Sequence, residues 1–165
     1  MSEHGPFARR RYPLPSCALR PLSARDVPVQ APALAAMDPW LFFGYAAPRF
    51  SGYLRRRDPA LHRYAIVVKR DLAGVAAVRD PWLHGAYLEL LGLLPPFQGR
   101  GLGAEVMRWF EDQSFSVAPN AWVLVSSFNT RGRNFYRRMG FLELAALPDF
   151  LKPGHDEILL WKRKP

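Results

Sequence analysis

A glycine-rich stretch, Gln98-Gly99-Arg100-Gly101-Leu102-Gly103, has the composition and the position of an anion-binding turn. It lies between an apolar run, Leu88 to Pro95, and a segment with helical periodicity that begins at Leu102. The first four N–H groups of a helix have no intrahelical acceptor, and the helix dipole adds positive potential there. Glycine also lets the main chain approach a phosphate, because it has no Cβ. The stretch therefore suits a diphosphate, although an ordinary glycine-rich turn before a helix would have the same composition.

A second group of residues lies between positions 121 and 141. Ala121 to Ser127 is rich in β-branched and aromatic residues, which predicts a strand, and Asn129 follows it. Next comes the pattern Phe135-Tyr136-x-x-Met139-Gly140-Phe141. The Q-x-x-G-x-G pattern of Gln98 to Gly103 and this second pattern, in this order and at this spacing, resemble the acyl-coenzyme A signature of the GNAT acyltransferases. The resemblance covers roughly residues 19 to 163.

The resemblance implies an α/β protein with the GNAT (acyl-CoA N-acyltransferase) fold, which has a mixed, mostly antiparallel central sheet flanked by helices. It implies that acetyl-CoA is the cofactor and that the protein is an N-acetyltransferase, in the class of acyltransferases that transfer groups other than amino-acyl groups. The acetyl group would pass directly to a primary amine, which could belong to a small amine, an amino acid or a protein. The alternative is a catalytically inactive module of the same fold that binds coenzyme A or nucleic acid.

The cofactor contacts implied by the resemblance fall on both patterns and on the strand before the glycines. Leu91 and Leu93 should offer backbone groups to the pantetheine arm, because strands splay at this point in the family. Asn129 matches the family's asparagine that bonds the pantetheine chain, Arg133 is expected to reach a phosphate, and Tyr136 should lie near the thioester sulfur. The diphosphate is expected on Gln98, Gly99, Arg100, Gly101, Leu102, Gly103 and Ala104.

Transfer of an acyl group to an amine needs a neutral amine, and this requirement defines the catalytic candidates. An alkylamine with a pKa of about 10.4 is neutral roughly once in 2,500 molecules at pH 7, which costs about 4.6 kcal/mol. Glu89, an isolated carboxylate in an apolar strand, is the candidate base, and strand alternation places it on the face of Leu91 and Leu93. A carboxylate facing solvent and a water relay are the alternatives. Tyr136 matches the family's acid, since a phenol stays protonated at pH 7 and can protonate the departing thiolate.

Two further segments are candidates for the acceptor pocket. Trp40, Phe43 and Tyr45 lie in an aromatic segment that lines the acceptor pocket in GNAT proteins, and core packing is the alternative. The stretch from Lys152 to Glu157 looks like a family pattern near the C-terminus that closes the pocket. Its acidic pair, Asp156 and Glu157, could attract a cationic acceptor or lie in a surface turn.

The remaining periodicities predict a regular alternation of strands and helices. Apolar residues at i, i+4, i+7 and i+8 from Leu102 predict a helix that ends near Gln113. Gly140 is placed to cap a helix that starts near Arg131. Two other helices are predicted, one over part of 26–37 and one over 51–58, and a capping box from Ser23 to Asp26 precedes the first. The other predicted strands are 19–22, 63–69, 73–79, 86–94, 142–147 and 157–163.

The composition limits the class of protein and its partners. Residues 1 to 18 combine prolines with Arg9, Arg10 and Arg11, which predicts a flexible basic arm before a single acetyltransferase domain over 19–165. Cys17 is the only cysteine, which indicates a reducing cytoplasm and a small buried or terminal thiol. The four histidines have no metal-ligand spacing, so we predict no metal.

The net charge of +9 has three explanations: attraction of the cofactor, arginine usage with no specific role, and nucleic acid. Nucleic acid is the disfavoured partner, although this charge is compatible with it. No apolar run is long enough to span a bilayer, so we expect no membrane. We expect a monomer or a homodimer.

Overall fold

The computed structural model describes residues 5–165, which form one eight-stranded sheet and four α-helices. The strands are β1 (Tyr12–Pro13), β2 (Ala18–Pro21), β3 (Leu61–Val68), β4 (Asp71–Trp82), β5 (Gly85–Leu93), β6 (Asn120–Ser126), β7 (Leu142–Lys152) and β8 (His155–Arg163). The helices are α1 (Val27–Ala35), α2 (Ala47–Arg55), α3 (Leu102–Phe115) and α4 (Thr130–Arg138), and a 3₁₀ turn covers Pro95–Phe97. None of the helices within residues 5–165 is long and apolar enough to cross a membrane. The predicted α/β class with a mixed, mostly antiparallel sheet is confirmed.

The strands lie in the order β1-β2-β3-β4-β5-β6-β8-β7, and among the strands of residues 5–165 only β5 and β6 are parallel neighbours. A parallel pair needs a crossover connection, and α3 provides it between these two strands. The parallel pairing runs from Gly85 opposite Asn120 to Leu88 opposite Val123 and then stops. The turn before α3 therefore begins beside the point where β5 and β6 separate.

Two apolar cores lie on opposite faces of the sheet. The larger core packs α3 and α4 against one face, with Val106, Phe110, Val123 and Leu160 among its buried members. The smaller core packs α1 and α2 against the other face and includes the buried Leu90 of β5. Alternation along the strands supplies apolar side chains to both faces, as expected for a sheet covered by helices on both sides.

The start of α1 forms around Asp26, which is only 4% exposed. Its carboxylate accepts a hydrogen bond from the Ser23 backbone N–H at 2.8 Å, which is one half of the predicted capping box. Arg20 binds both carboxylate oxygens, at 2.7 and 2.8 Å, and this pairing lowers the pKa of Asp26. The ion pair thus connects β2 to the first turn of α1.

The prediction of a loose N-terminal arm is wrong for residues 5–18, and its first four residues lie outside the described part of the chain. Phe7 is fully buried and Tyr12 is 6% exposed, because both pack on Trp109 of α3. Glu105 accepts hydrogen bonds from the Ser16 backbone N–H at 2.9 Å and from the Cys17 thiol at 3.7 Å. Burial, together with Glu105, raises the pKa of Cys17 to about 12, so the predicted buried, unreactive thiol fits its environment.

The other predicted elements are present with different ends. The second helix starts at Ala47 rather than near residue 51, because Pro48 occupies its first turn, where the missing N–H costs nothing. The strand expected over 73–79 continues to Trp82, and the one expected over 142–147 continues to Lys152. Gly140 follows α4 with φ +86°, as predicted for its helix cap.

Candidate active site

A cavity of about 920 Å³ lies where β5 and β6 separate. After Leu88 the backbone of β5 pairs only with β4, so its side toward β6 is free of sheet hydrogen bonds as far as Leu93. The cavity is lined by the end of β5, the glycine-rich turn, the end of β6 and one side of α4. The topology therefore brings the two sequence patterns together at one opening, although they lie about 30 residues apart.

Glu89 lies at this opening in a β-bulge. Val78 pairs with Leu88 and Ala77 pairs with Leu90, so Glu89 has no partner residue on β4. The bulge breaks the expected alternation: Leu91 and Leu93 pack with the α3 core, whereas Glu89 binds Arg79. The Arg79 guanidinium donates to both oxygens of Glu89, at 2.6 and 3.3 Å, and also to Asp58 at 3.0 Å. The predicted base is therefore part of an ion-pair network.

The glycine-rich turn has the backbone conformation that its composition suggests. Gly99 has φ +69° and Gly101 has φ +80°, values that residues with a Cβ rarely adopt. Gly101 is the residue before α3, and the space beside both glycines is open, since a Cβ on either would meet no atom within 4 Å. Gln98 donates to the Leu93 carbonyl at 2.8 Å, which ties the turn to the end of β5. The unpaired N–H groups of the first turn of α3 thus border the cavity.

Asn129 and Tyr136 border the cavity from the α4 side. Asn129 is the N-cap residue of α4, and its side-chain oxygen accepts a hydrogen bond from the Gly132 N–H at 2.9 Å. Tyr136 lies two turns further along the helix, with its ring against Phe135 and Phe141. Burial raises the pKa of Tyr136 above its usual value near 10, so its hydroxyl remains protonated at neutral pH.

The aromatic residues predicted for the acceptor side have different positions. Trp40 and Phe43 line the cavity, whereas Tyr45 does not; it packs at the edge of the α1–α2 core with Arg49 stacked on its ring at 3.7 Å. Phe43 also belongs to an aromatic cluster that joins three separate segments of the chain. Its members are Phe42, Phe43, Phe128 and His155, with centroid distances of 4.6 to 5.8 Å.

The sequence matches the Acetyltransferase (GNAT) family over residues 31–141, which is more than half of the chain. The chain belongs to this family. Its predicted membership is thereby confirmed, and GNAT proteins use acetyl-CoA.

Individual relatives agree with the family match. An uncharacterized N-acetyltransferase of Methanocaldococcus jannaschii is 33% identical over 86 residues, which cover 51% of this chain and 54% of the relative. The chain thus matches only about half the length of this curated relative.

Mycobacterium smegmatis RimJ in complex with CoA-disulfide has a similar fold, with a TM-score of 0.73 and 18% identity over 96% of this chain and 90% of that one. The Escherichia coli ribosomal-protein-S18-alanine N-acetyltransferase has a TM-score of 0.68 and 17% identity, over 88% of this chain and 92% of that one. At these identities the two structures support the fold alone.

Most of the cofactor-binding residues predicted for this GNAT protein lie on the cavity wall. Those residues are Leu91, Leu93, Gln98, Gly99, Gly101, Gly103, Ala104, Asn129 and Tyr136. Three others lie elsewhere. Leu102 is buried in the α3 core, Arg100 is stacked over Phe97, and Arg133 is bound through two hydrogen bonds of 2.9 Å to Glu143. A phosphate contact from Arg133 would therefore require this ion pair to open.

The sequence of this GNAT protein did not decide whether Glu157, which lines the cavity, lies at the acceptor site or in a surface turn. Glu157 is in β8 opposite Ser126 of β6, and it is 4% exposed, so it is not part of a surface turn. Phe150 and Leu151, near the tip of the β7–β8 hairpin, also line the cavity. The predicted strand over 157–163 indicated which face Glu157 occupies, because alternation places it on the same face of β8 as the apolar Leu159. The sequence did not indicate that this face borders the cavity.

Proposed function

We propose that this protein transfers an acetyl group from acetyl-CoA to a primary amine of a small molecule or a protein. The observation that carries the proposal is the opening between β5 and β6, which the glycine-rich turn and Tyr136 both border. Family membership supports the cofactor and the reaction class. A half-buried tyrosine with an intact hydroxyl at this opening favours an active enzyme over an inactive binding module.

Three parts of the chain would hold acetyl-CoA. The diphosphate would bind the glycine-rich turn and the first N–H groups of α3, where the open space beside Gly99 and Gly101 admits a phosphate. The pantetheine arm would lie along the free backbone of β5 between Glu89 and Leu93, with the amide of Asn129 on its other side. Bound in this way, acetyl-CoA supplies an activated acyl group.

The chain's own groups would handle the protons. The Tyr136 hydroxyl is protonated at neutral pH and would donate its proton to the departing thiolate sulfur. A carboxylate of this cavity would take a proton from the amine. Glu89, the base predicted from the sequence, lines the cavity and is paired with Arg79. The amine would enter on the side of Trp40 and Phe43.

Thermal unfolding with and without ligand tests the proposal. Acetyl-CoA at about 100 times its Kd should stabilise the protein by about 2.7 kcal/mol and raise Tm by roughly 5–10 °C. S-acetylpantetheine has the same thioester without the diphosphate, so a smaller shift at equal concentration would support the assigned diphosphate site. No rise in Tm with millimolar acetyl-CoA would refute the proposal.

A further inference from the structure

The Glu157 carboxylate is buried in the cavity wall without a counter-ion. It is 4% exposed, and its Oε1 has no hydrogen-bond partner among the described residues. Ser126, directly opposite on β6, is its polar neighbour, and none of the Lys, Arg or His side chains in residues 5–165 lies within 4.0 Å of it. A buried carboxylate without a partner is costly, so this site favours a bound cation or a proton. Burial accordingly raises the pKa of Glu157 above its ordinary value.

The carboxylates of Glu157 and Glu89 differ in their hydrogen-bond partners. Arg79 occupies both oxygens of Glu89 with charge-assisted hydrogen bonds. Glu157 has a free oxygen and a raised pKa, the two properties that a general base needs near neutral pH.

The titratable groups that line the cavity with Glu157 are Asp38, Tyr87, Glu89, Arg131, Tyr136 and Arg138. Burial raises the pKa of Tyr87, and Glu89, Tyr136 and Glu157 raise it further, which indicates that these four groups share one region. Tyr87 and Glu89 come from β5, Tyr136 comes from α4, and β6 contributes the neutral Ser126. Glu157 and Tyr136, the group assigned to protonate the sulfur, therefore both act on Tyr87 and both line the cavity.

Several large apolar side chains line the acceptor side, although Asp38, close to Trp40 in the sequence, also lines the cavity. Trp40 and Phe43 on one side and Phe150 and Leu151 on the other line the cavity. The net charge of +9 repels polycations at long range.

We propose that Glu157 binds the amino group of the acceptor and takes up its first proton, and that the acceptor is a primary amine on an apolar substituent. This inference rests on the proposed acetyl transfer. The ammonium group gives one proton to Glu157, and the neutral nitrogen forms a bond to the acyl carbon as the carbon–sulfur bond breaks. The nitrogen loses a second proton, which replaces the one that Tyr136 gives to the sulfur. Glu157 then releases its proton to solvent, and the products are an amide and a thiol.

Glu157→Gln, compared with Asp156→Asn, tests this inference. Both substitutions remove one negative charge from β8, but Asp156 is not on the cavity wall. The probes are 2-phenylethylamine, which represents a small amine, and the dipeptide amide Phe-Ala-NH₂, which represents a peptide amino terminus. Both have a primary amine on an apolar substituent. With the better probe, Glu157→Gln should lower kcat/KM for the amine about 100-fold and leave the KM for acetyl-CoA unchanged. Asp156→Asn should keep wild-type kinetics, and Glu157→Asp should recover part of the rate.

The pH dependence of the rate distinguishes a base from a residue that only supports the fold, because a purely structural role of Glu157 would not change it. Without Glu157, the rate should follow the free-amine fraction. It should rise about tenfold per pH unit between pH 7 and 9 with 2-phenylethylamine, and level off above about pH 8 with Phe-Ala-NH₂, because an α-amino group has a pKa of about 8. The acetyl-CoA shift in Tm reports separately on the proposed function. If the wild type is stabilised by acetyl-CoA but acetylates neither probe, the inference is wrong while the cofactor site stands. Equal kcat/KM values for Glu157→Gln and the wild type would also overturn it, as would a loss confined to Glu89→Gln.

Discussion

The side chain of Asn129 accepts a hydrogen bond from the Gly132 N–H at 2.9 Å, and a Cβ on residue 132 would come within 2.7 Å of the Asn129 Nδ2 atom. The helix cap and the absence of a side chain at position 132 therefore depend on each other. The cap occupies the side-chain oxygen of Asn129 and leaves its amide N–H groups for a ligand in the cavity. A glycine that costs α4 about 1 kcal/mol of helix propensity thus fixes the position of a predicted cofactor contact.

Gly132→Ala should weaken acetyl-CoA binding, because the new methyl group displaces the Asn129 amide. Loss of one hydrogen bond, about 0.5–1.5 kcal/mol, corresponds to a rise of roughly 2- to 12-fold in the KM for acetyl-CoA. Gly52→Ala is the matched control, since a Cβ at this position in α2 meets no atom within 4 Å. It should raise stability by up to about 1 kcal/mol with an unchanged KM. Wild-type affinity in Gly132→Ala would mean that the observed position of Asn129 is not required.

Tyr136→Phe should lower kcat about 100-fold or more and change the KM for acetyl-CoA little, because the ring remains and only the proton donor is lost. Burial raises the pKa of Tyr136, so the wild-type enzyme should show no loss of kcat from its ionisation below about pH 10. Tyr64→Phe removes a buried hydroxyl that donates to the Phe7 carbonyl, and Tyr64 does not line the cavity. It should cost about 0.5–1.5 kcal/mol of stability and leave kcat unchanged. A fully active Tyr136→Phe would exclude Tyr136 as the acid.

The two motifs and the element order could be predicted from the sequence, because each depends on local patterns. Strand alternation, the helical period after Leu102 and the glycine at position 140 are all read within a few residues. The relative position of the two motifs followed from the family resemblance, and in the structure it depends on the parallel pairing of β5 and β6.

Long-range contacts account for most of what the sequence did not indicate. Arg79 is ten residues from Glu89, and nothing local shows that a bulge in β5 directs the carboxylate toward it. The burial of Glu157 depends on β6, its neighbour in the sheet but some 30 residues away in the sequence. Tyr45 and Phe43 are both aromatic residues of one segment, and only their packing separates them: Phe43 lines the cavity, whereas Tyr45 packs at the α1–α2 core with Arg49 on its ring.

Asp26→Asn should destabilise the protein at neutral pH by about 1–3 kcal/mol, since it leaves Arg20 and the Ser23 N–H without their charged acceptor. Arg20 lowers the pKa of Asp26 in the folded state below its ordinary value of 3.8. The stabilisation is therefore present above pH 3.8 and is lost as the pH falls through the folded-state pKa. In urea titrations, the difference between wild type and variant should be full at pH 7 and shrink below pH 3.8. Asp112→Asn, at an exposed site on α3, is the control; a pH-independent difference for Asp26→Asn would contradict the ion-pair explanation.

Phe7→Ala should destabilise the fold by about 3–5 kcal/mol, because it removes a fully buried ring that packs edge-on against Trp109 and lies beside Phe110. Arg11→Ala, four residues away and exposed, should stay within about 0.5 kcal/mol of the wild type in the same urea titrations. A loss of stability below about 1 kcal/mol for Phe7→Ala would instead support the prediction that this segment is a loose arm. The expected cost instead makes this segment part of the core that supports α3, because Glu105 in the first turn of that helix also holds the Ser16 N–H.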